Sequence, residues 1–161
     1  MNMQYSVLLH NIRSAHNVGS IFRTADAAGF SHVYLSGYTP LPIDRFGRKR
    51  ADIDKVALGA QEIVSWSEVK DIEMFLRSHY VVAVEQDERS IPYDSFEAPK
   101  EVHELILMMG EETKGIEKEL LVDVSSIIEI PMRGEKESLN VSVAFAVVAY
   151  EITKNHLRKS S

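Results

Sequence analysis

Tyr80-Val81-Val82-Ala83-Val84-Glu85 is the stretch on which the fold turns. Four apolar residues in a row, three of them valine, leave no polar face for water, so residues 80–85 read as a strand covered on both sides. Strands of that kind belong to parallel sheets with helices on their faces. Working outward, residues 104–109 and 126–130 read as two more buried strands, with a short helix over 117–121 between them and a turn-rich stretch over 91–99. Toward the N-terminus, 6–10 and 32–36 read as strands. The helix between them, 18–28, would be capped by Asn17 and ended by Gly29. A loop rich in proline, glycine and charge follows over 37–52. The spacing then predicts a strand over 62–66 and a helix over 67–78 with Ser67 as its cap. Leu139, Val143, Ala146, Val147 and Tyr150 recur at helical spacing, so 138–157 is one long amphipathic helix with Ser138 at its cap. Strands alternating with helices predict an α/β fold, a mostly parallel sheet flanked by helices.

The 161 residues are expected to form a single domain, 1–161. No stretch resembles a signal peptide or a membrane span, and cysteine is absent, which excludes thiol nucleophiles, thiolate metal sites and disulfides and fits the cytoplasm. The six histidines have no ligand spacing, so no metal is expected; His16, beside Asn17, is the one kept as a candidate. The net charge of −6 opposes a polyanionic partner at long range. An RNA partner therefore needs a local basic patch. Arg45, Arg48, Lys49 and Arg50 offer one, although a solvated loop explains the run equally well.

Three segments carry candidate chemistry. In Asn11-Ile12-Arg13-Ser14-Ala15-His16-Asn17-Val18-Gly19-Ser20-Ile21-Phe22-Arg23-Thr24 a strand turns into a helix whose N-terminus is a natural anion site. Alone, it is more economically read as a helix cap and a surface cation. Met108-Met109-Gly110-Glu111-Glu112-Thr113-Lys114-Gly115-Ile116 follows a buried strand, and its two glycines allow a ligand close to the backbone. A charged turn explains it as well. It has neither the dinucleotide glycine fingerprint nor P-loop spacing. Ile130-Pro131-Met132-Arg133-Gly134-Glu135-Lys136-Glu137-Ser138-Leu139-Asn140-Val141-Ser142-Val143-Ala144 runs from the last strand into the long helix and gathers polar side chains at its start.

In this order, the three segments resemble the signature motifs of the SpoU (TrmH-like) RNA methyltransferases of the SPOUT superfamily, over nearly the whole chain from Val7 to Tyr150. The resemblance implies a C-terminal deep trefoil knot, S-adenosyl-L-methionine as cofactor, and transfer of its methyl group to a ribose 2′-hydroxyl of tRNA or rRNA. It also implies a homodimer packed through the first and last helices. Arg23 matches the central catalytic residue, expected here to fix a phosphate because a guanidinium stays protonated. Asn17, Glu112, Ser138 and Asn140 match the other polar positions, with Glu112 expected to orient a cation across the dimer. Val84, Glu85, Met109, Gly110, Gly115, Ile130, Met132, Ser138 and Leu139 match the cofactor loops. RNA contacts are expected from Arg13, His16 and the 45–50 run. Glu111 stands where the family commonly has asparagine, which adds a negative charge near the expected RNA path. Ile116 replaces the usual leucine. The alternatives are a base-modifying relative and a non-catalytic RNA-binding relative.

Overall fold

The computed structural model describes residues 3–157, with side chains described to residue 154. β1 (Gln4–His10) leads into α1 (Ala15–Ala27), β2 (His32–Ser36), α2 (Ala51–Ala57) and α3 (Ala60–Ile63). β3 (Ser65–Val69), α4 (Ile72–Ser78), β4 (Val81–Val84) and the two-residue β5 (Ile91–Pro92) follow, the last running into a single 3-10 turn at Tyr93–Ser95. β6 (Glu104–Met109), α5 (Lys118–Leu121), β7 (Ser126–Glu129) and α6 (Val141–Leu157) complete the chain.

The seven strands form one sheet in the order β3-β2-β1-β6-β4-β7-β5, and every pairing in it is parallel. Both faces are covered. Val7, Leu9, Leu105, Leu107 and Met109 point to one side, where Phe22 of α1 and Phe145 of α6 meet them. Leu8, Val81, Ala83, Ile106 and Met108 point to the other, under Leu76, Leu120 and Leu121. Burial of each large side chain contributes about 1.5–3 kcal/mol, and this alternation explains why the strands read as unbroken apolar runs. Gly19 sits where α1 crosses α2: a Cβ there would lie 2.8 Å from the Ile53 carbonyl oxygen. Its role is helix packing, not ligand approach.

Several expectations need correction. Ser14, not Asn17, caps α1, its Oγ accepting from the Asn17 N–H at 3.2 Å. Residues 51–63, assigned partly to loop and partly to strand, form α2 and α3. The third strand is 65–69 rather than 62–66, so Ser67 lies inside it and bonds His32 at 2.8 Å, while Asp71 caps α4. The last helix begins at Val141. Asn140 takes the capping position proposed for Ser138, its Oδ1 accepting from the Ser142 N–H at 2.9 Å. The stripe that faces the core is Val141, Phe145, Val148 and Ala149, whereas Val143 and Tyr150 are exposed. α6 is therefore apolar on more than one side. Among the described residues no helix is long and apolar enough to cross a membrane.

Candidate active site

The strand order places the site. The chain lays β1, β2 and β3 to one side, crosses over, and later inserts β6 between β1 and β4. In open parallel sheets, ligands bind outside the carboxyl ends of the strands where the winding reverses. Here the loops after β4, β6 and β7 meet at that edge and enclose a cleft of about 300 Å³, at the small end of ligand sites generally, roughly 300–1,000 Å³.

The loop after β6 is braced by its own chain. Glu111 and Gly115 exchange backbone hydrogen bonds at 3.2 and 2.9 Å. The buried Glu111 carboxylate accepts from the N–H groups of Thr113, at 3.0 Å, and Lys114. Its Oε2 is thus turned into the loop, while Oε1 is buried without a hydrogen bond and has the Arg13 guanidinium 3.6 Å away. Gly110 has no space for a side chain, since a Cβ would stand 2.7 Å from the Gly115 carbonyl carbon and 2.8 Å from the Ile116 nitrogen. Gly115 has φ 70° and lies against Glu85. Glu85 in turn accepts from the Ile116 N–H at 2.9 Å, which joins the β4 and β6 loops.

Glu112 points the other way. Its carboxylate accepts from the backbone N–H groups of Arg13 and Ser14, each at 3.0 Å, and from the Asn17 side-chain amide at 3.1 Å. The anion site at the start of α1 is therefore filled by Glu112, whose carboxylate serves donors of this chain. Burial pushes the Glu112 carboxyl up, but these donors outweigh it and hold its pKa below the ordinary value. The Asn17 oxygen accepts from the Asn140 amide at 3.2 Å, and Asn140 Oδ1 accepts from the Ser142 hydroxyl at 2.6 Å. Glu112, Asn17, Asn140 and Ser142 form one hydrogen-bonded chain that ties the three sequence segments together.

All nine residues proposed for the cofactor, Val84, Glu85, Met109, Gly110, Gly115, Ile130, Met132, Ser138 and Leu139, line the cleft, as does Glu112. Sequence reasoning missed Gln86, which spans the cleft by donating to the Glu137 carbonyl at 2.6 Å, and the acidic rim residues Glu129 and Glu137. Glu129 and Gln86 had one legible signal, their place at or just past the end of a strand, whereas Glu137 lies in the middle of the β7 loop and had none. Arg23 lies on the exposed side of α1, outside the cleft lining, and forms no ion pair among the described residues. His16 and Arg13 are exposed at the start of the same helix. The basic run is mostly neutralised: Arg48 pairs with Asp44 at 2.9 Å, Arg50 with Asp52 at 2.6 Å, and Lys49 with Glu62. Arg45 is the exception. Among the described residues no group of three or more histidine, aspartate or glutamate side chains could hold a metal.

The chain is thus a parallel α/β domain with a cleft at its reversal point; Glu112 lines that cleft, while Asn17, Asn140 and Ser142 stand outside its lining and tie the three separated segments together. A family model described as the SpoU rRNA Methylase family matches residues 4–150, and the chain belongs to that family. The 23S rRNA (guanosine-2'-O-)-methyltransferase RlmB of Pasteurella multocida is 32% identical over 157 residues, covering 94% of this chain and 60% of that protein. The protein of the same name from Haemophilus influenzae is 33% identical over the same length and coverage. The chain thus spans about 60% of the length of these relatives. Among solved structures, an AdoMet-bound rRNA methyltransferase from Sinorhizobium meliloti superposes with a TM-score of 0.83 at 26% identity, over 96% of this chain and 57% of that one. The A. aeolicus TrmH/SpoU tRNA modifying enzyme shares the fold, with a TM-score of 0.80 at 24% identity over 99% of this chain and 78% of that one.

Proposed function

We propose that this chain transfers a methyl group from S-adenosylmethionine to a ribose 2′-hydroxyl of RNA, with a guanosine of ribosomal RNA favoured over transfer RNA. The observation that carries the reading is the Glu112–Asn17–Asn140 chain, which draws the three family segments to one edge of the cleft. The likeness to the 23S rRNA guanosine-2′-O-methyltransferases of Pasteurella and Haemophilus supports guanosine 2′-oxygen as the acceptor.

The residues present fit the cofactor. Gly110 lets the β6 loop fold back on itself and so shapes the cleft wall, Ile130, Met132 and Leu139 offer apolar surface to an adenine, and Glu85, Glu129 and Glu137 give an acidic rim to a cationic sulfonium and amino group. The bound cofactor supplies an electrophilic methyl, so the chain's own work is alignment and management of the hydroxyl proton. Asn17 and Asn140 hold the ribose, with Glu112 fixing Asn17. Ser138 stands at the mouth of the cleft. Arg23 holds a substrate phosphate with its guanidinium fork.

Arg23 lies outside its own cleft, which supports a site completed by a second copy. Exposed Val143 and Tyr150, seven residues apart on α6, and exposed Leu139 just before it support a homodimer through that helix. The deep trefoil knot of the family's C-terminal part is proposed with the same fold, supported by the insertion of β6 between β1 and β4. A cytoplasmic setting belongs to the same reading and is supported by the cysteine-free sequence.

Purified protein with labelled S-adenosylmethionine and total RNA from cells lacking the gene should yield a labelled 2′-O-methyl nucleoside after digestion. Label on a base would remove the ribose assignment. No transfer, with cofactor binding measured and intact, would favour a non-catalytic relative. Arg23→Ala should abolish transfer while cofactor affinity stays within about twofold, since a surface substitution costs within about 0.5 kcal/mol. Loss of cofactor binding in the folded variant would refute the phosphate role.

A further inference from the structure

The loop between β2 and α2 contains a small, well-fastened hairpin that neither the cofactor nor the proposed catalytic chain uses. Ile43 and Lys49 pair as an antiparallel bridge, and the Asp44 N–H donates to the Arg48 carbonyl at 2.8 Å. The Asp44 carboxylate then accepts from the N–H groups of Phe46 at 2.8 Å and Arg48 at 3.0 Å, closing the turn. This ordered turn carries Phe46 at its tip, 66% exposed, with the Arg45 and Arg48 guanidinium carbons 4.8 and 5.0 Å from the ring centroid. Asp44 ties Arg48 down, whereas Arg45 forms no ion pair among the described residues. At the root of the same loop stands Tyr38, 58% exposed, its N–H donating to Asn11 Oδ1 at 3.2 Å. The loop is pinned to the site edge by Thr39, which accepts from the Ile12 N–H at 3.0 Å and donates to the Leu9 carbonyl at 2.9 Å.

We infer that the tip of the 43–49 hairpin is a stacking platform for an unpaired nucleobase of the RNA, with Phe46 as the ring and Arg45 as the adjoining phosphate contact. An exposed aromatic flanked by guanidinium groups is the chemistry that holds splayed bases, because every base has a π-face and every nucleotide a phosphate. One ring with two guanidinium groups close to it is too small and too polar to seat a membrane or a hydrophobic protein face. An unpaired base can reach a convex hairpin tip, whereas a base inside a duplex cannot present its face. The RNA is therefore unpaired at the base that meets this tip. This rests on the RNA substrate proposed above but not on the methyl transfer.

The test measures fluorescence anisotropy of labelled single-stranded oligoadenylate and of an RNA duplex of equal length, titrated with the full chain. Phe46→Leu should weaken single-strand binding about tenfold, within the roughly 5- to 150-fold range of a lost base–aromatic stack, while duplex binding stays unchanged. Phe46→Trp should restore it. Arg45→Ala should weaken both probes and flatten the salt dependence. Equal loss on single strand and duplex, no loss on either, or no single-strand binding by the parent chain would each overturn the proposal. So would a change of sedimentation mass in Phe46→Leu, which would make the tip an interface between copies. Stacking through Phe46 without methyl transfer to total RNA would leave this inference standing and remove the activity reading.

Discussion

The loops after β6 and β7 form two walls of one cleft, and they are built in opposite ways. The β6 loop is closed by a backbone bridge, by a buried carboxylate bonded to its own N–H groups, and by Glu85 from the neighbouring strand. The β7 loop, residues 131–140, is exposed at every position but Met132 and is held chiefly by Gln86 at Glu137 and by Asn140 at its end. One wall exists before any ligand arrives. The other is free to settle on whatever fills the cleft, so ligand binding carries part of its ordering cost.

The two glycines make that contrast measurable. Gly110→Ala should have the largest effect, because the new Cβ meets backbone atoms of Gly115 and Ile116 that have nowhere to go. A loss of about 1–3 kcal/mol in chemical denaturation is expected from overpacking, together with loss of S-adenosylhomocysteine binding by calorimetry. An unchanged affinity would show that the β6 wall also yields. Glu112→Gln ranks next. It weakens charge-assisted bonds at the start of α1 and should cost about 1–3 kcal/mol. The sign with pH follows from the depressed pKa. The ionised carboxylate contributes stability that is present above the ordinary value of 4.5 and is lost as pH falls through the lower folded value. The variant's stability curve should flatten in that acid window, and a curve parallel to the parent's would contradict the assigned bonds. Gln86→Ala removes one tie to the exposed β7 wall and should lower cofactor affinity by about 0.5–1.5 kcal/mol with little change in folding stability. Gly134→Ala should be smallest, since nothing lies within 4 Å of the added Cβ and φ is not positive. A gain of about 0.4–1 kcal/mol in the melting curve is expected from a less flexible unfolded chain. A loss there would mean that the β7 loop is already packed.

How far these features could be read from the residues depended on what each segment faces. The strands over His32–Ser36 and Glu104–Met109 were legible to the residue because both are apolar runs with clear ends. β3 was misplaced because it is an edge strand: Ser65, Ser67 and Glu68 leave no apolar run to find. α2 and α3 were missed because seven and four residues are too few for a periodic signal, and the close seat of α2 on Gly19 is a contact no local pattern announces. Ser14 and Asn17 were confused because either residue type caps well, and the choice was made by Glu112, 95 positions away from Asn17. The cleft lining was legible through family resemblance. The hydrogen-bonded chain behind it was not, since no local pattern announces a bond between distant amides. The stripe read on α6 locates the helix but not its core contact: Phe145 and Val148 supply that, while Val143 and Tyr150 of the stripe are exposed.

The bond between Asn17 and Asn140 spans 123 positions, which sets when the site can come into being. During synthesis the first helix leaves the ribosome long before the last one begins, so Glu112, Asn17 and Asn140 cannot assemble until nearly the whole chain is out. Closing so long a loop is also slow relative to local helix formation. Cofactor binding is therefore a property of the finished chain. A nascent fragment holding every residue up to β7 has most of the sheet and no functional cleft.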